Sequence, residues 1–91
     1  MDIPASAAPF FQEYEFSELN IREHAPLIIE RVLAFGDRIE IRWLVDTLGW
    51  EVVRTWIAET GLYRLPWSRY SLWCIVFDLP RQERKKGIWK K

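Results

Sequence analysis

The sequence predicts an all-α fold, a compact bundle of about four short helices at steep angles with an N-terminal aromatic arm across it. Three observations point there. Apolar residues recur at helical spacing between Pro26 and Leu79. Gly36, Gly49 and Gly61 divide that stretch into helix-length segments. No run alternates with period two except IEIRW at 39–43, and a helix-start signal overrides it.

Ninety-one residues make one small domain. A chain this short buries only about 60–65 % of its surface, so each large side chain counts. The 15 % aromatic content compensates, because a buried ring removes roughly 150–250 Å² from water. Five of the six tryptophans lie between Pro26 and Leu79.

Residues 1–9 contain Pro4 and Pro9 among small residues and read as a flexible leader. Residues 10–79 form the helical domain. It opens with FFQEYEFSELN, where Phe10, Phe11, Tyr14 and Phe16 alternate irregularly with Glu13, Glu15 and Glu18. That composition suits an extended or one-turn arm. Asn20 and Glu23 have capping-box spacing, which would start a helical turn at Ile21, but Pro26 fits only a first turn, so either residues 21–24 are a separate turn or the helix proper begins at Ala25 or Pro26. Ile28, Val32 and Phe35 share a face with Ile29 and Leu33 beside it, as in a central, mostly buried helix. Gly36 stands where a glycine at positive φ would close it.

Asp37 and Glu40 form a second capping box. Ile41, Leu44, Val45 and Leu48 then follow i, i+3, i+4, i+7, and Gly49 ends the second helix. The third runs from about Glu51 to Thr60 on a Val53, Trp56, Ile57 stripe, with Gly61 as its end. The fourth starts at Pro66 or Ser68 and is stopped by Pro80. It is apolar on more than half its circumference, so it belongs in the centre of the fold or under a partner. Residues 80–91 form a basic tail.

Net charge is zero, but unevenly placed. Residues 1–79 hold 7 Lys/Arg and 12 Asp/Glu, a balance of −5, while 80–91 hold 6 and 1, a balance of +5. The tail can attract an acidic partner or fold back on its own acidic body. The single cysteine, Cys74, excludes an intramolecular disulfide and a multi-cysteine zinc site. It points to a reducing, cytoplasmic setting. MDIPASAAP lacks the basic and apolar regions of a signal peptide. No apolar run approaches the roughly 18 residues of a membrane span.

No catalytic residue, cofactor site or metal site is expected. His24, the only histidine, sits in a polar turn with nothing local to orient it. Cys74 lies in the most apolar helix, where burial disfavours the thiolate. The carboxylates match no metal-binding spacing, and the glycines are single rather than gathered in a phosphate loop. Most tryptophans read as core. Trp50 and Trp67, at helix boundaries, are the better surface candidates. The tight turn between the second and third helices raises a helix-turn-helix regulator as the alternative function. Its recognition helix, EVVRTWIAET, offers one arginine and two glutamates against phosphates, so nucleic acid is not favoured.

The order of an aromatic–acidic arm, HAPLIIERVLAFGD, IRWLVDTLGWEVVRTWI and YSLWCIVFDL resembles a family of small, functionally uncharacterised bacterial domains. The resemblance covers roughly residues 10–79 and carries no catalytic residues. Genes of that family often neighbour nucleotidyltransferase-like toxins of the abortive-infection kind. The resemblance therefore implies an antitoxin that neutralises a cognate toxin by occluding its active site. The residues expected to meet that partner are Phe10, Phe11, Tyr14 and Phe16 of the arm, Trp50 and Trp67, and Arg84, Lys85, Lys86 and Trp89 of the tail. The basic tail departs from the family pattern.

Overall fold

The computed structural model describes residues 3–82, and every regular element among them is helical. Two 3-10 segments, Ala5–Phe11 and Phe16–Glu18, precede α1 (Ala25–Phe35) and α2 (Arg38–Leu48). Then come α3 (Trp50–Trp56), a π turn over Ile57–Gly61, the single turn α4 (Leu62–Arg64) and α5 (Trp67–Val76). No helix among the described residues is long and apolar enough to cross a membrane.

Helix α1 is central, as its broad apolar surface predicts. It buries Ile28, Ile29, Val32 and Leu33 and touches the first 3-10 segment, α2, α3 and α5. Phe35 departs from the expected stripe and is 58 % exposed. The α2 start is as expected: the Asp37 side chain accepts from the backbone at Glu40, and the Glu40 carboxylate accepts the Asp37 N–H at 2.7 Å. At the other end Gly49 has φ 98°, a conformation costly for any residue with a Cβ.

Gly36 and Gly61, the other two glycines among the described residues, act through space rather than φ. Gly36 is extended, with φ −79°. A Cβ there would lie 2.6 Å from the Val32 carbonyl and 3.2 Å from Glu40 Cβ, because α2 starts only two residues beyond α1. Gly61 does not end the third helix. It is helical, and its missing side chain makes room for the Tyr70 ring. The helix runs on through a π turn to Arg64 and stops at Leu65, which is extended because Pro66 follows.

Helix α5 likewise ends before the expected Pro80. Asp78 takes the left-handed conformation at φ 55°. The Leu79 N–H then reaches the Cys74 carbonyl at 2.8 Å, and the Asp78 N–H reaches Ile75 at 3.3 Å. This is a Schellman closure with aspartate where glycine is usual. Only one side of α5 is central, through Tyr70, Trp73, Cys74 and Phe77; Leu72, Ile75 and Val76 are exposed.

The N-terminus differs most from expectation. Residues 5–9, read as a flexible leader, belong to the first 3-10 segment, whose Ala7 is fully buried. The Ser6 hydroxyl donates to the buried Glu40 carboxylate. That hydroxyl, and then the Asp37 N–H, hold Glu40 below the usual carboxylate range. An alanine and a phenylalanine four residues apart are thus buried where the first 3-10 segment packs on α1.

Candidate functional site

Three arginines explain how the elements are held and what surface is left over. The final carbonyls of a helix lack intrahelical donors, and a cation there also meets the negative end of the helix dipole. Arg69 serves α1 in this way, donating to Leu33 O at 2.9 Å and Gly36 O at 2.6 Å. The Trp73 indole donates to the same Leu33 O at 2.7 Å. Arg54 closes α5, donating to Phe77 O at 2.9 Å and Asp78 O at 3.1 Å. The one cation of the proposed DNA-reading helix is therefore spent inside the molecule.

Arg31 does the same for the first 3-10 segment and builds a surface in doing so. Its Nη1 donates to Phe10 O at 2.8 Å and to Glu13 Oε1 at 3.0 Å, and its Nη2 donates to Glu13 Oε2 at 2.6 Å. The fork holds the Glu13 carboxyl down to about 2, and the same carboxylate raises the arginine in turn. The guanidinium also lies 5.6 Å from the centre of the Tyr14 ring, within cation–π range. Phe10 meets Phe35 with ring centres 6.0 Å apart. A cleft of about 330 Å³ opens here, lined by Pro9, Phe10, Gln12, Glu13, Arg31 and Phe35. A second cleft, of about 690 Å³, lies along Ile3, Phe16, Leu19 and Ile21.

The residues expected at a partner surface are divided by the structure. Phe10 is half-buried at the first cleft and Tyr14 is 44 % exposed beside it. Phe16 is half-buried and lines the second cleft. Phe11 is a correction: it is 1 % exposed in the core, because a 3-10 turn sends adjacent side chains in different directions. Trp50 and Trp67 are both exposed in part, as boundary positions predict. Trp50 stacks on Phe77 at 4.2 Å. Trp67 leans on Tyr70 and carries Arg81 at 6.0 Å from its ring. Next to it the Gln82 N–H donates to the Tyr70 hydroxyl, so the chain after α5 turns back along that helix. Arg84, Lys85, Lys86 and Trp89 lie outside the described residues.

Sequence reading missed Arg31, Glu13 and Phe35. One signal was present: Arg31 and Phe35 are four apart on α1 and so share a face beside the apolar stripe. His24 accepts the Asn20 N–H at Nδ1, 3.0 Å away, inside a local turn. Cys74 is buried. Among the described residues no cluster of His, Cys, Asp or Glu could hold a metal ion.

No curated protein and no solved structure matches the chain. Residues 7–57 run from the buried Ala7 through every residue of the Phe10–Phe35 cleft to the end of α3, and they match a family of unknown function (DUF6922), to which the chain belongs.

Proposed function

We propose that the protein is a non-enzymatic binding module that neutralises a cognate toxin, a nucleotidyltransferase, by occluding its active site. The observation that carries this reading is the corner at Phe10, Tyr14 and Phe35, where one arginine holds the Phe10 carbonyl and lies over the Tyr14 ring, and the Phe10 ring meets Phe35. Rings fixed in advance lose little freedom on contact, and aromatic anchors within a charged rim dominate protein interfaces. Trp50 and Trp67 add exposed indoles. Arg84, Lys85, Lys86 and Trp89 supply the cations and the ring that would enter an acidic groove. The likeness to domains encoded beside abortive-infection toxins supports the choice of partner. The engagement of Arg54 with α5 favours a protein over DNA as target.

Co-expression with the product of the neighbouring gene tests the proposal. The two are expected to co-purify with the toxin's activity lost. Tight DNA binding at moderate salt, with no affinity for the neighbour, would sink it. Truncation after Gln82 addresses the tail: neutralisation that survives means occlusion does not pass through residues 83–91.

A further inference from the structure

We infer that the cleft between Phe10 and Phe35 is the anchor point for a basic protein surface, which sets one apolar side chain against the rings and turns its lysines or arginines toward Glu15 and Glu18. The inference rests on the binding role proposed above and names the chemistry of the surface that would be met. The apolar part comes from Pro9, Phe10 and Phe35, the last of them 58 % exposed. At about 330 Å³ the cleft is at the small end of ligand sites, enough for a side chain or two.

Charge selects the partner. Arg31 is the only cation among the described residues that line the cleft, and its guanidinium is already taken by Phe10 O and both oxygens of Glu13. An acidic partner would have to break that fork. The surrounding chain is negative: residues 10–24 hold Glu13, Glu15, Glu18 and Glu23 against Arg22 alone. With Glu13 matched by Arg31, the exposed Glu15 and Glu18 leave the segment that follows the cleft residues Phe10, Gln12 and Glu13 net negative. Complementary potentials steer encounter and suppress wrong partners. A second copy meeting the cleft with this same face would bring the same carboxylates to the same place, and like charges would oppose it.

The probe is a hexapeptide with a Trp-Leu centre flanked by two lysines on each side, titrated into the full-length, ¹⁵N-labelled protein. The control peptide carries glutamates in place of the lysines. Saturable amide shifts are expected at residues 9–14, 31 and 35 with the lysine peptide only. Phe35→Asp, at an exposed position, is expected to keep the circular dichroism spectrum and weaken binding at least about tenfold. Glu15→Lys with Glu18→Lys is expected to abolish the preference between the two peptides. Equal response to both peptides, shifts confined elsewhere, or none at all overturns the assignment. A response that appears only after residues 83–91 are deleted also overturns it, since the chain's own tail would then be the occupant. No toxin is present in this experiment, so it can fail while co-purification succeeds, and the reverse.

Discussion

The corner at Phe10, Tyr14 and Phe35 and the outer face of α5 both expose apolar side chains, and they differ in what holds those side chains in place. At the corner, one guanidinium ties a backbone carbonyl, a carboxylate and a ring. On α5, Leu72, Ile75 and Val76 are aliphatic and sit at i, i+3, i+4 on one helix face. Exposure alone therefore does not single out a site. An aromatic surface fixed by polar contacts can bind without first being ordered, whereas the aliphatic stripe on α5 has no side chain that can hydrogen-bond to hold it in place. Phe10 and Phe11 make the same contrast within one turn: one ring faces the cleft and its neighbour closes the core.

Substitutions can break or sharpen this comparison. The largest effect is expected at Phe11. Phe11→Ala should cost about 3–5 kcal/mol in urea unfolding, because it opens a cavity over α1. Phe35→Ala, at an exposed position, should stay within about 0.5 kcal/mol of the parent. If the two cost the same, the division between core ring and surface ring is wrong. Arg69→Met comes next. It leaves Gly36 O without its donor while Trp73 still serves Leu33 O, and a loss of about 1–3 kcal/mol is expected.

Asp78→Gly should act in the opposite direction. It relieves a left-handed residue, at roughly 1–2 kcal/mol, against the roughly 0.5–1 kcal/mol entropic cost of glycine, while keeping the carbonyl that Arg54 meets, and a net gain of about 1 kcal/mol or less should appear as a raised melting temperature. Ile75→Ser should leave stability within about 0.5 kcal/mol and leave the response to the lysine peptide unchanged. A peptide response lost in Ile75→Ser would move the site to α5.

The smallest effect is the acid dependence of the corner. Glu13 titrates at about 2 in the folded chain against an ordinary 4.5. Its contribution is therefore complete above about 4.5 and is lost as pH falls toward 2. Arg31→Met should flatten the urea midpoint over that window. The change should be modest, because the Glu13 side chain is 57 % exposed. Glu40, also lowered, contributes with the same sign through its contacts to Ser6 and Asp37.

Helix existence was legible because the chemistry that starts and buries a helix is local. The Asp37–Glu40 box, the stripe on α2 and the breadth of α1 can all be read within ten residues. Helix ends were harder. Gly61 looks like a stop, but a glycine can also mark close approach, and only the position of Tyr70 distinguishes the two. Asp78 closes α5 before Pro80 because Arg54, from another helix, waits for its carbonyl. The leader at residues 5–9 looks disordered by composition, and Ala7 has too little surface to signal burial from sequence. Of the site, Phe10 and Tyr14 were visible as aromatics among acids, and Trp50 and Trp67 as boundary indoles. Arg31, Glu13 and Phe35 were not, since an arginine reads as solvated until its partners are known.

By itself, then, the sequence determined the helical class, the central place of α1, the start of α2 and the turn at Gly49. Each follows from periodicity, capping chemistry or backbone strain within a few residues. The tertiary structure alone decided which of two adjacent phenylalanines enters the core, which arginines close which helices, and where an aromatic surface forms. Those outcomes depend on groups 18 to 40 positions apart, from Glu13–Arg31 to Leu33–Trp73. Local pattern carries no record of such distant pairs. They are settled when the unpaired carbonyls of one helix meet the side chains of another.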